Sequence, residues 1–452
     1  MPTRLLDVSN SQIRLVDTQN SQGQYLALSH PWGDPKSHFH FCTYNHNIEK
    51  HQERIVFDAL PATFKDAITT TRELGFQYLW IDSLCIVQGA DGDFAEQSKQ
   101  MEEVFSSAHC VLAASRSTGQ SDGFLGMRPE RDYVTFDRNG DTYHVCEGID
   151  HFQRDVIDGP LNKRGWVLQE RAVARRTVYF TEAQTYWECG GGVRCETFTR
   201  LKNDFASFLG DPKFPDFAMR STRGEKIRLY QIFYSQYSRL EFTRIEDRPF
   251  AIIGLEKRLI QAFNARGGYG ILDDGEGLLY RSLLWRRPSN GTLEKIKFPP
   301  ERNISIPTWS WMAYKGGIDY FDPLWNGFEW EQSELQSPWT TDTSAGNTST
   351  VNNAISFNVT VRNFDLEDGD KKHSKLFFDM LVVGERPTSG LKCVVIARPK
   401  AGVRTIDRRC YVLLVTPQSS SDHGGVETFE RVGVGYIPES CISQDKTSAK
   451  LQ

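Results

Sequence analysis

Three polar side chains that could do chemistry interrupt an apolar run, YLWIDSLCIVQ, at residues 78–88. They are Asp82, Ser83 and Cys85. A short apolar run with polar flanks is typical of a buried strand in a parallel sheet. Ligands of such sheets bind at the carboxyl ends of the strands, where these side chains are predicted to emerge. Cys85 is a candidate nucleophile with His30 as its base, or a small core residue. Asp82 is alternatively a cap or turn carboxylate.

A second candidate group follows the apolar strand predicted at residues 24–29, QYLALS. Ser29, His30 and Trp32 stand in the sequence SHPWG, which is typical of a turn. This turn is predicted to reach the same sheet edge as Asp82 and could cradle a phosphate or stack a ring. The alternative is a structural turn with Trp32 packed inward. SHPWG has a single glycine, so it is not a phosphate loop of the GxGxxG or GxxxxGK kind.

The third candidate group is the sequence RGWVLQER. Its members that could do chemistry are Arg164, Trp166, Gln169, Glu170 and Arg171. Arg164 could hold a phosphate or carboxylate in a bidentate manner, and the adjacent Trp166 would suit the ring of a nucleotide. The structural alternative is a network of arginines and a glutamate, which would be costly to bury unpaired. Both interpretations remain open from the sequence.

Histidines and a cysteine alternate in a polar segment before the first predicted helix. They are His38, His40 and Cys42, with His46 and His51 close by. On a strand, alternate residues share a face, so this pattern could bind zinc. The usual zinc spacings are absent and the segment is predicted to be a loop, so the sequence predicts no metal site.

The elements that must position these groups alternate between helices and strands. Helices are predicted at 60–75, 94–108 and 165–174, and strands at 24–29, 78–88, 108–115, 176–180 and 184–188, with a β-like patch at 133–146. This order predicts a Rossmann-like α/β domain with a parallel sheet over roughly residues 1–200.

The rest of the chain changes character twice. Residues 201–300 are predicted to be helical, with apolar residues at helical spacing in 225–240 and 250–263, a loop at 267–277 and a short helix at 278–286. Residues 301–452 are predicted to be β-rich, with a loop at 336–353 and strand-like runs that begin at residues 355, 376, 391, 410 and 429. These runs indicate an antiparallel sheet or a small barrel. PTWSWMA, with Trp309 and Trp311, is predicted to pack rather than to bind.

Composition bounds the class of protein. The 452 residues are 39% hydrophobic and 25% charged, with a net charge of −5 and a pI of about 6.1. This balance argues against a nucleic-acid-binding surface as the main function. No apolar run approaches the roughly 18–20 residues of a membrane span, and the N-terminal sequence is unlike a secretory signal. Nine scattered cysteines without a CxxC pair suit reduced thiols, so a cytoplasmic location is expected.

Several of these sequences together carry a family resemblance. In chain order they are YLALSHPWG (25–33), LPATFKDAI (60–68), YLWIDSLCIVQ (78–88), EQSKQMEEVFSSA (96–108) and RGWVLQER (164–171), followed by DRPFAIIGL (247–255), PTWSWMA (307–313) and FERVGVGYI (429–437). The sequence resembles the fungal heterokaryon-incompatibility (HET) domain family, with His30 where the family most often has tyrosine. The resemblance implies a cytosolic protein of non-self recognition and programmed cell death.

HET domains have in turn been argued to be distant relatives of Toll/interleukin-receptor (TIR) domains, some of which cleave NAD at the nicotinamide–ribose bond. The resemblance places the catalytic glutamate on Glu96, with Asp82 as a second acid that orients water or ribose hydroxyls. NAD would then be a substrate, and no cofactor is expected. A shared fold does not establish a shared reaction, and Glu96 is alternatively a solvated residue in the first turn of a helix.

Two other functions remain open from the sequence. The chain could be a biosynthetic cyclase or isomerase that acts on an apolar metabolite, or a non-catalytic module that oligomerises or binds other incompatibility proteins. The catalytic hypothesis depends on one arrangement, in which Ser29, Asp82 and Glu96 share a crevice at one edge of a parallel sheet.

Overall fold

The computed structural model describes most of the chain, in two compact units. The described residues are 1–37, 39–201, 220–300, 305–323, 327–339, 355–380, 390–400, 408–418 and 426–452. The first unit comprises Met1–Ala218 and Phe250–Leu255, and the second comprises Met219–Pro249 and Glu256–Gln452.

The first unit combines short strands with short helices. Its strands are β1 (Arg4–Asp7), β2 (Arg14–Asp17), β3 (Tyr25–Ser29), β4 (Thr43–Tyr44), β5 (Tyr78–Trp80), β6 (Val87–Gln88), β7 (Cys110–Ala113), β8 (Tyr133–Arg138), β9 (Asp141–Cys146), β10 (Arg176–Phe180), β11 (Thr185–Cys189), β12 (Gly192–Cys195) and β13 (Arg200–Leu201). Its helices are α1 (Ile48–Glu53), α2 (Ala62–Glu73), α3 (Asp82–Cys85), α4 (Phe94–Gln97), α5 (Met101–Ser107) and α6 (Gly165–Val173).

A nine-stranded sheet forms the centre of the first unit. The strand order is β13, β12, β11, β10, β7, β3, β5, β1, β2. The four strands β10, β7, β3 and β5 run parallel, with Leu26 opposite both Leu79 and Cys110. The chain passes from β3 to β5 on one side and then returns to β7 and β10 on the other. The strand order therefore reverses between β3 and β7, and the predicted mixed α/β fold with a parallel sheet is confirmed.

Local sequence explains the elements next to this sheet. All residues of β3 and β7 are buried, as expected for parallel strands covered on both faces. Helix α2 begins directly after Pro61 and buries Phe64, Ala67 and Ile68. It ends at Glu73, and the φ of 77° at Gly75 allows the left-handed turn in which the Gly75 amide donates to the Arg72 carbonyl.

Two predicted elements are shorter than the sequence indicated. The strand predicted over residues 78–88 ends at Trp80, and the chain then enters the helical turn α3, where the Cys85 amide donates to the Ile81 carbonyl at 2.7 Å. The helix predicted over 94–108 is interrupted by a 3-10 turn at Ser98–Gln100. The predicted strand pair at 176–188 is confirmed as the antiparallel pair β10 and β11, and the β-like patch as the hairpin of β8 and β9.

The described residues of the second unit form three α-helices and many strands. The helices are α7 (Arg223–Ser238), α8 (Ile253–Phe263), whose first residues belong to the first unit, and α9 (Leu278–Leu283). The strands are β14 (Arg266–Gly268), β15 (Ile271–Asp273), β16 (Trp285–Arg286), β17 (Glu294–Lys295), β18 (Tyr314–Lys315), β19 (Asp319–Tyr320), β20 (Phe328–Trp330), β21 (Leu335–Gln336), β22 (Phe357–Val361), β23 (Lys375–Phe378), β24 (Lys392–Pro399), β25 (Arg409–Pro417), β26 (Thr428–Pro438) and β27 (Thr447–Leu451).

The C-terminal strands form one sheet that returns on itself. Strands β24, β25, β26, β27 and β22 are neighbours in that order. An antiparallel bridge between Arg362 and Cys393 joins the end of β22 to β24, which closes a ring of five strands. The predicted β-rich C-terminal region is thus confirmed. Most of the loop predicted at 336–353, from residue 340 onward, lies outside the described residues.

The prediction of a loop at residues 267–277 is wrong over the first half of that range. Strands β14 and β15 form a hairpin whose two-residue turn is Tyr269 and Gly270, with φ values of 57° and 77°. Two positive φ values suit the twist of a tight hairpin, but tyrosine gives no sequence signal for that conformation. In the described ranges, no helix is both long and apolar enough to cross a membrane.

A buried carboxyl group in α8 makes the stability of the second unit depend on pH. The Glu256 carboxyl accepts hydrogen bonds from the Gly270 amide at 2.6 Å and the Tyr234 hydroxyl at 3.3 Å. Burial outweighs these bonds and raises the pKa of Glu256 to about 7. A carboxyl whose pKa is higher in the folded than in the unfolded protein destabilises the fold once it ionises.

We expect the free energy of unfolding to fall by about 3 kcal/mol through this group as the pH rises from about 4.5 to above 7. Glu256→Gln should remove that part of the pH dependence, because the amide keeps an acceptor oxygen and cannot ionise. Urea denaturation at pH 5.5 and pH 8 measures the difference. Glu329→Gln, at an exposed position, is the matched control. An unchanged pH dependence in Glu256→Gln would contradict the assignment.

Candidate functional site

A serine and a glutamate meet at the end of the central strand. Ser29 ends β3, and its hydroxyl donates a hydrogen bond of 2.5 Å to Oε2 of Glu170 in α6. Burial raises the pKa of Glu170 to about 7, although the Ser29 hydrogen bond and the charge of Arg164 act in the opposite direction. A half-buried carboxyl group that titrates near neutral pH can both accept and donate a proton there, which is the requirement for acid–base catalysis.

A second carboxylate is held by the turn that follows β3. Asp82 Oδ1 lies 3.1 Å from Nε2 of His30, and Asp82 Oδ2 accepts a 2.7 Å hydrogen bond from Nε1 of Trp32. The Ser83 amide also donates to Asp82 Oδ1 at 2.7 Å. Burial alone would raise the pKa of Asp82, but His30, Trp32 and Arg164 outweigh it and hold that pKa below its usual value. Asp82 is therefore ionised at neutral pH and fixed in orientation.

The ring of His30 is fixed on both sides. Its Nδ1 lies 2.9 Å from the Pro31 carbonyl oxygen, which can only accept, so this nitrogen carries a proton. Its Nε2 faces the Asp82 carboxylate at 3.1 Å. The side chain of His30 is 1% exposed, whereas that of Asp82 is 29% exposed. His30 therefore supports Asp82 from the interior.

Arg164 joins the two halves of the cluster. It directly precedes α6, and its Nη1 donates a 2.6 Å hydrogen bond to the backbone carbonyl of His30. Its charge lowers the pKa of both Asp82 and Glu170. Two carboxyl groups whose surroundings drive their pKa values apart are the usual basis of acid and base roles in one site.

Topology explains why these residues meet. Ser29 ends β3 and Asp82 follows the adjacent parallel strand β5, while Arg164 directly precedes α6 and Glu170 lies within it, just before β10. The cluster thus lies beside the reversal of strand order, where open α/β sheets bind ligands. The structure brings together six of the residues predicted from the sequence: Ser29, His30, Trp32, Asp82, Arg164 and Glu170.

Comparison with protein families gives a match over part of the chain. The model of the family described as heterokaryon incompatibility protein (HET) matches residues 25–170. These residues are a HET domain. No curated protein and no solved structure was found to match the chain. All six clustered residues lie in the HET domain, and Glu170 is its last matched residue.

Glu96 of the HET domain makes no described contact with this cluster. It is exposed in the short helix α4, and its amide donates to the Asp93 carbonyl. No hydrogen bond or ion pair between described residues joins its carboxylate to Ser29, Asp82 or Glu170. The shared crevice of Ser29, Asp82 and Glu96 is therefore not formed by direct contacts, and the catalytic role of Glu96 stays a prediction.

Ser83, Cys85 and Trp166 lie beside the cluster in different surroundings. The Ser83 hydroxyl is buried and has no hydrogen-bond partner in the described part of the chain. Cys85 belongs to the hydrophobic core, and burial raises the pKa of its thiol to about 12, so the thiol is protonated at neutral pH. Trp166 is half-buried, and its ring centre lies 6.2 Å from that of Phe94 in an edge-to-face arrangement.

Gln169 holds another helix. Its Oε1 accepts hydrogen bonds from the amides of Gly254 at 2.8 Å and Leu255 at 3.4 Å, in the first turn of α8. These are among the amides that a helix leaves without internal partners. A Cβ at Gly254 would lie 2.2 Å from Cβ of Glu102, so the close approach requires glycine. Gln169 therefore positions the backbone of the first turn of α8.

The described histidine side chains of the histidine-rich segment contact separate partners and do not form a common site. His40 Nε2 lies 3.0 Å from the Gly33 carbonyl oxygen, and His51 Nδ1 lies 2.9 Å from the Thr43 hydroxyl. Cys42 is buried, and His38 lies outside the described residues. Within the ranges that the structure describes, no group of three or more His, Cys, Asp and Glu side chains could hold a metal ion.

Sequence reasoning missed two polar residues at this edge. Ser115 follows β7 by two residues, and the neighbouring Ala114 amide donates to the Ser29 carbonyl at 2.9 Å. The Gln120 amide donates to the Trp32 carbonyl, and its buried Nε2 has no partner among the described residues, as is true of the Ser115 hydroxyl. The signal for Ser115 was available, since it ends the predicted strand AHCVLAAS.

Proposed function

We propose that the HET domain is an NAD glycohydrolase of heterokaryon incompatibility and cell death, and that Glu170, not Glu96, is its catalytic carboxylate. The observation that carries the proposal is the placement of Glu170. It is a half-buried carboxyl group with a pKa of about 7, it accepts from Ser29, and it lies at the carboxyl edge of the parallel sheet.

The reaction needs one negative charge beside the ribose. The N-glycosidic bond breaks with both electrons leaving on nicotinamide, and positive charge develops on the ribose carbon and ring oxygen. An ionised Glu170 stabilises that charge electrostatically. Water then adds to the ribose carbon and releases one proton, so that NAD and water yield nicotinamide, ADP-ribose and H⁺. The Ser29 hydroxyl keeps the carboxylate in position throughout.

The other clustered residues suit substrate binding and positioning. The Arg164 guanidinium donates one described hydrogen bond, to the His30 carbonyl. Its other N–H groups can therefore donate to a pyrophosphate. Trp32 is half-buried, and its ring orientation is fixed by the hydrogen bond to Asp82. Asp82 accepts from Trp32 and Ser83 and faces His30, so we assign it the positioning of this turn.

The fold and the cysteines support this assignment. Numbered along the chain, the parallel strands have the spatial order 2, 1, 3, 4, which is that of doubly wound, Rossmann-like sheets that bind nucleotides where the order reverses. A distant likeness to TIR domains is part of this proposal. All nine cysteines are free thiols, which suits a reducing cytoplasm where NAD is present.

Incubation of the purified chain with NAD tests the proposal. We expect nicotinamide and ADP-ribose in equal amounts by chromatography. The rate should rise about tenfold per pH unit below pH 7 and level off above it, because the ionised carboxylate is the active form. Absence of nicotinamide release would contradict the activity, and a rate that falls between pH 6 and pH 8 would contradict the role of Glu170.

A further inference from the structure

The second unit contains a cleft with an excess of positive charge. Its volume is about 680 Å³, within the range of small-molecule sites. It is lined by the segment that follows α7 and by residues 315–317. The cations that line it are Arg239, Arg244, Arg248 and Lys315, and the carboxylates are Glu241 and Glu246.

Arg248 is a buried cation without a carboxylate partner among the described residues. It is 1% exposed, and its guanidinium carbon lies 5.1 Å from the centre of the Trp311 ring. Its Nη2 donates to the Gly316 carbonyl at 3.0 Å, and its buried Nε has no partner in the described chain. Burial lowers the pKa of Arg248 to about 10. Buried arginines are almost always paired with an anion, so this one lacks its usual partner.

The cations around the cleft differ in what they already bind. Arg239 is engaged with the carbonyls of Ser235 and Ile318 and with the Asp319 carboxylate. Arg244 is exposed and has no hydrogen-bond or ion-pair partner in the ranges described. Lys315 lies 3.8 Å from the exposed Glu294 carboxylate, a loose surface pair of little energetic weight. Arg244 and Lys315 are therefore available to a ligand.

Two sequences that the HET domain does not include meet at this cleft. DRPFAIIGL contributes Arg248, which lines the cleft, and PTWSWMA contributes the buried Trp311 behind it, on which Arg248 stacks. Gly316 has a φ of 121°, and a Cβ there would lie 2.5 Å from the Thr292 carbonyl oxygen. The backbone against Arg248 thus depends on a glycine, which indicates a specific local arrangement.

We infer that this cleft binds a phosphate-bearing small molecule, with Arg248 at its base and Arg244 and Lys315 at its rim. Guanidinium groups match the oxygens of phosphate in a bidentate manner, and a stacked, weakly hydrated guanidinium loses less than an ammonium would on burial. A cleft of this volume accepts more than a single phosphate group, and Glu241 suits a hydroxyl group of the same ligand. None of the residues that line this cleft belongs to the cluster around Glu170.

Isothermal titration of the full chain with pyrophosphate tests the inference, with citrate as a carboxylate anion of similar charge. We expect pyrophosphate to bind and to raise Tm. Arg244→Gln should weaken binding about tenfold or more without lowering the Tm of the unliganded protein, because Arg244 is exposed. Lys371→Gln, at an exposed lysine whose salt bridge is to Asp368, should leave binding unchanged.

Arg248→Met should abolish pyrophosphate binding, and Arg244→Gln keeps the test decisive if Arg248→Met does not fold. Lack of binding at millimolar pyrophosphate, equal binding by Arg244→Gln, or equally tight binding of citrate would each overturn the inference. None of these results depends on NAD cleavage, so failure here leaves the proposed function of the HET domain to its own test.

Discussion

Glu170→Gln is expected to slow nicotinamide release from NAD by about 100- to 1,000-fold. The substitution removes the negative charge beside the developing ribose cation, and losses of that size follow removal of one electrostatic stabiliser from a catalytic site. The glutamine oxygen can still accept the Ser29 hydrogen bond, so the local geometry is retained. Chromatographic measurement of nicotinamide at saturating NAD, with and without the substitution, gives the ratio.

Glu96→Gln is the matched control. Glu96 is exposed and makes no described contact with the cluster. The rate of nicotinamide release by Glu96→Gln should therefore stay within about twofold of that of the unsubstituted protein. The reverse pattern, with activity lost in Glu96→Gln and kept in Glu170→Gln, would assign the reaction to Glu96. Stability gives an independent readout. Because burial raises the pKa of Glu170 to about 7, Glu170→Gln should raise Tm above pH 7 while it lowers activity.

The sheet edge could be predicted from the sequence because the ends of apolar runs mark the ends of strands. Apolar runs end at Ser29 and just before Asp82, and parallel pairing of β3 with β5 follows from the order of elements. Side chains at those two ends therefore could be predicted to lie near each other. Their hydrogen-bond partners could not, since Ser29 and Glu170 are separated by 141 positions and only the packing of α6 brings them together.

The position of Glu96 depended on contacts that the sequence does not reveal. The chain that leads into α4 is held by Asp93, which pairs with Arg4 of β1 and accepts from the Val87 amide at 2.8 Å. An ion pair across 89 positions leaves no local pattern, so the direction of α4 could not be predicted. The raised pKa of Glu170 was equally hidden, because it follows from burial and not from residue type.

The position of Glu170 depends on a buried ion pair at the next residue. Arg171 donates to both carboxylate oxygens of Glu188 in β11, at 2.9 and 2.8 Å, and the Tyr179 hydroxyl donates to the same group at 2.5 Å. The side chains of Arg171 and Glu188 are 8% and 4% exposed. This pair fixes α6 against the sheet, and α6 carries Glu170.

We expect Arg171→Met to lower the free energy of unfolding by about 3–5 kcal/mol, because it leaves the Glu188 carboxylate buried without its cation. Urea denaturation followed by circular dichroism measures the loss. NAD cleavage should fall as well, since α6 would no longer hold Glu170 at the Ser29 hydroxyl.

Two further variants separate the cost of an unpaired buried charge from the cost of losing an arginine side chain. Arg171→Met combined with Glu188→Leu should recover much of the stability, because a buried ion pair replaced by apolar groups is often close to neutral. Arg154→Met removes a cation that is 63% exposed from its pair with Asp155, and should cost much less stability than Arg171→Met. If Arg171→Met costs no more than Arg154→Met, the pair does not anchor α6, and Glu170 must be positioned by the packing of α6 alone.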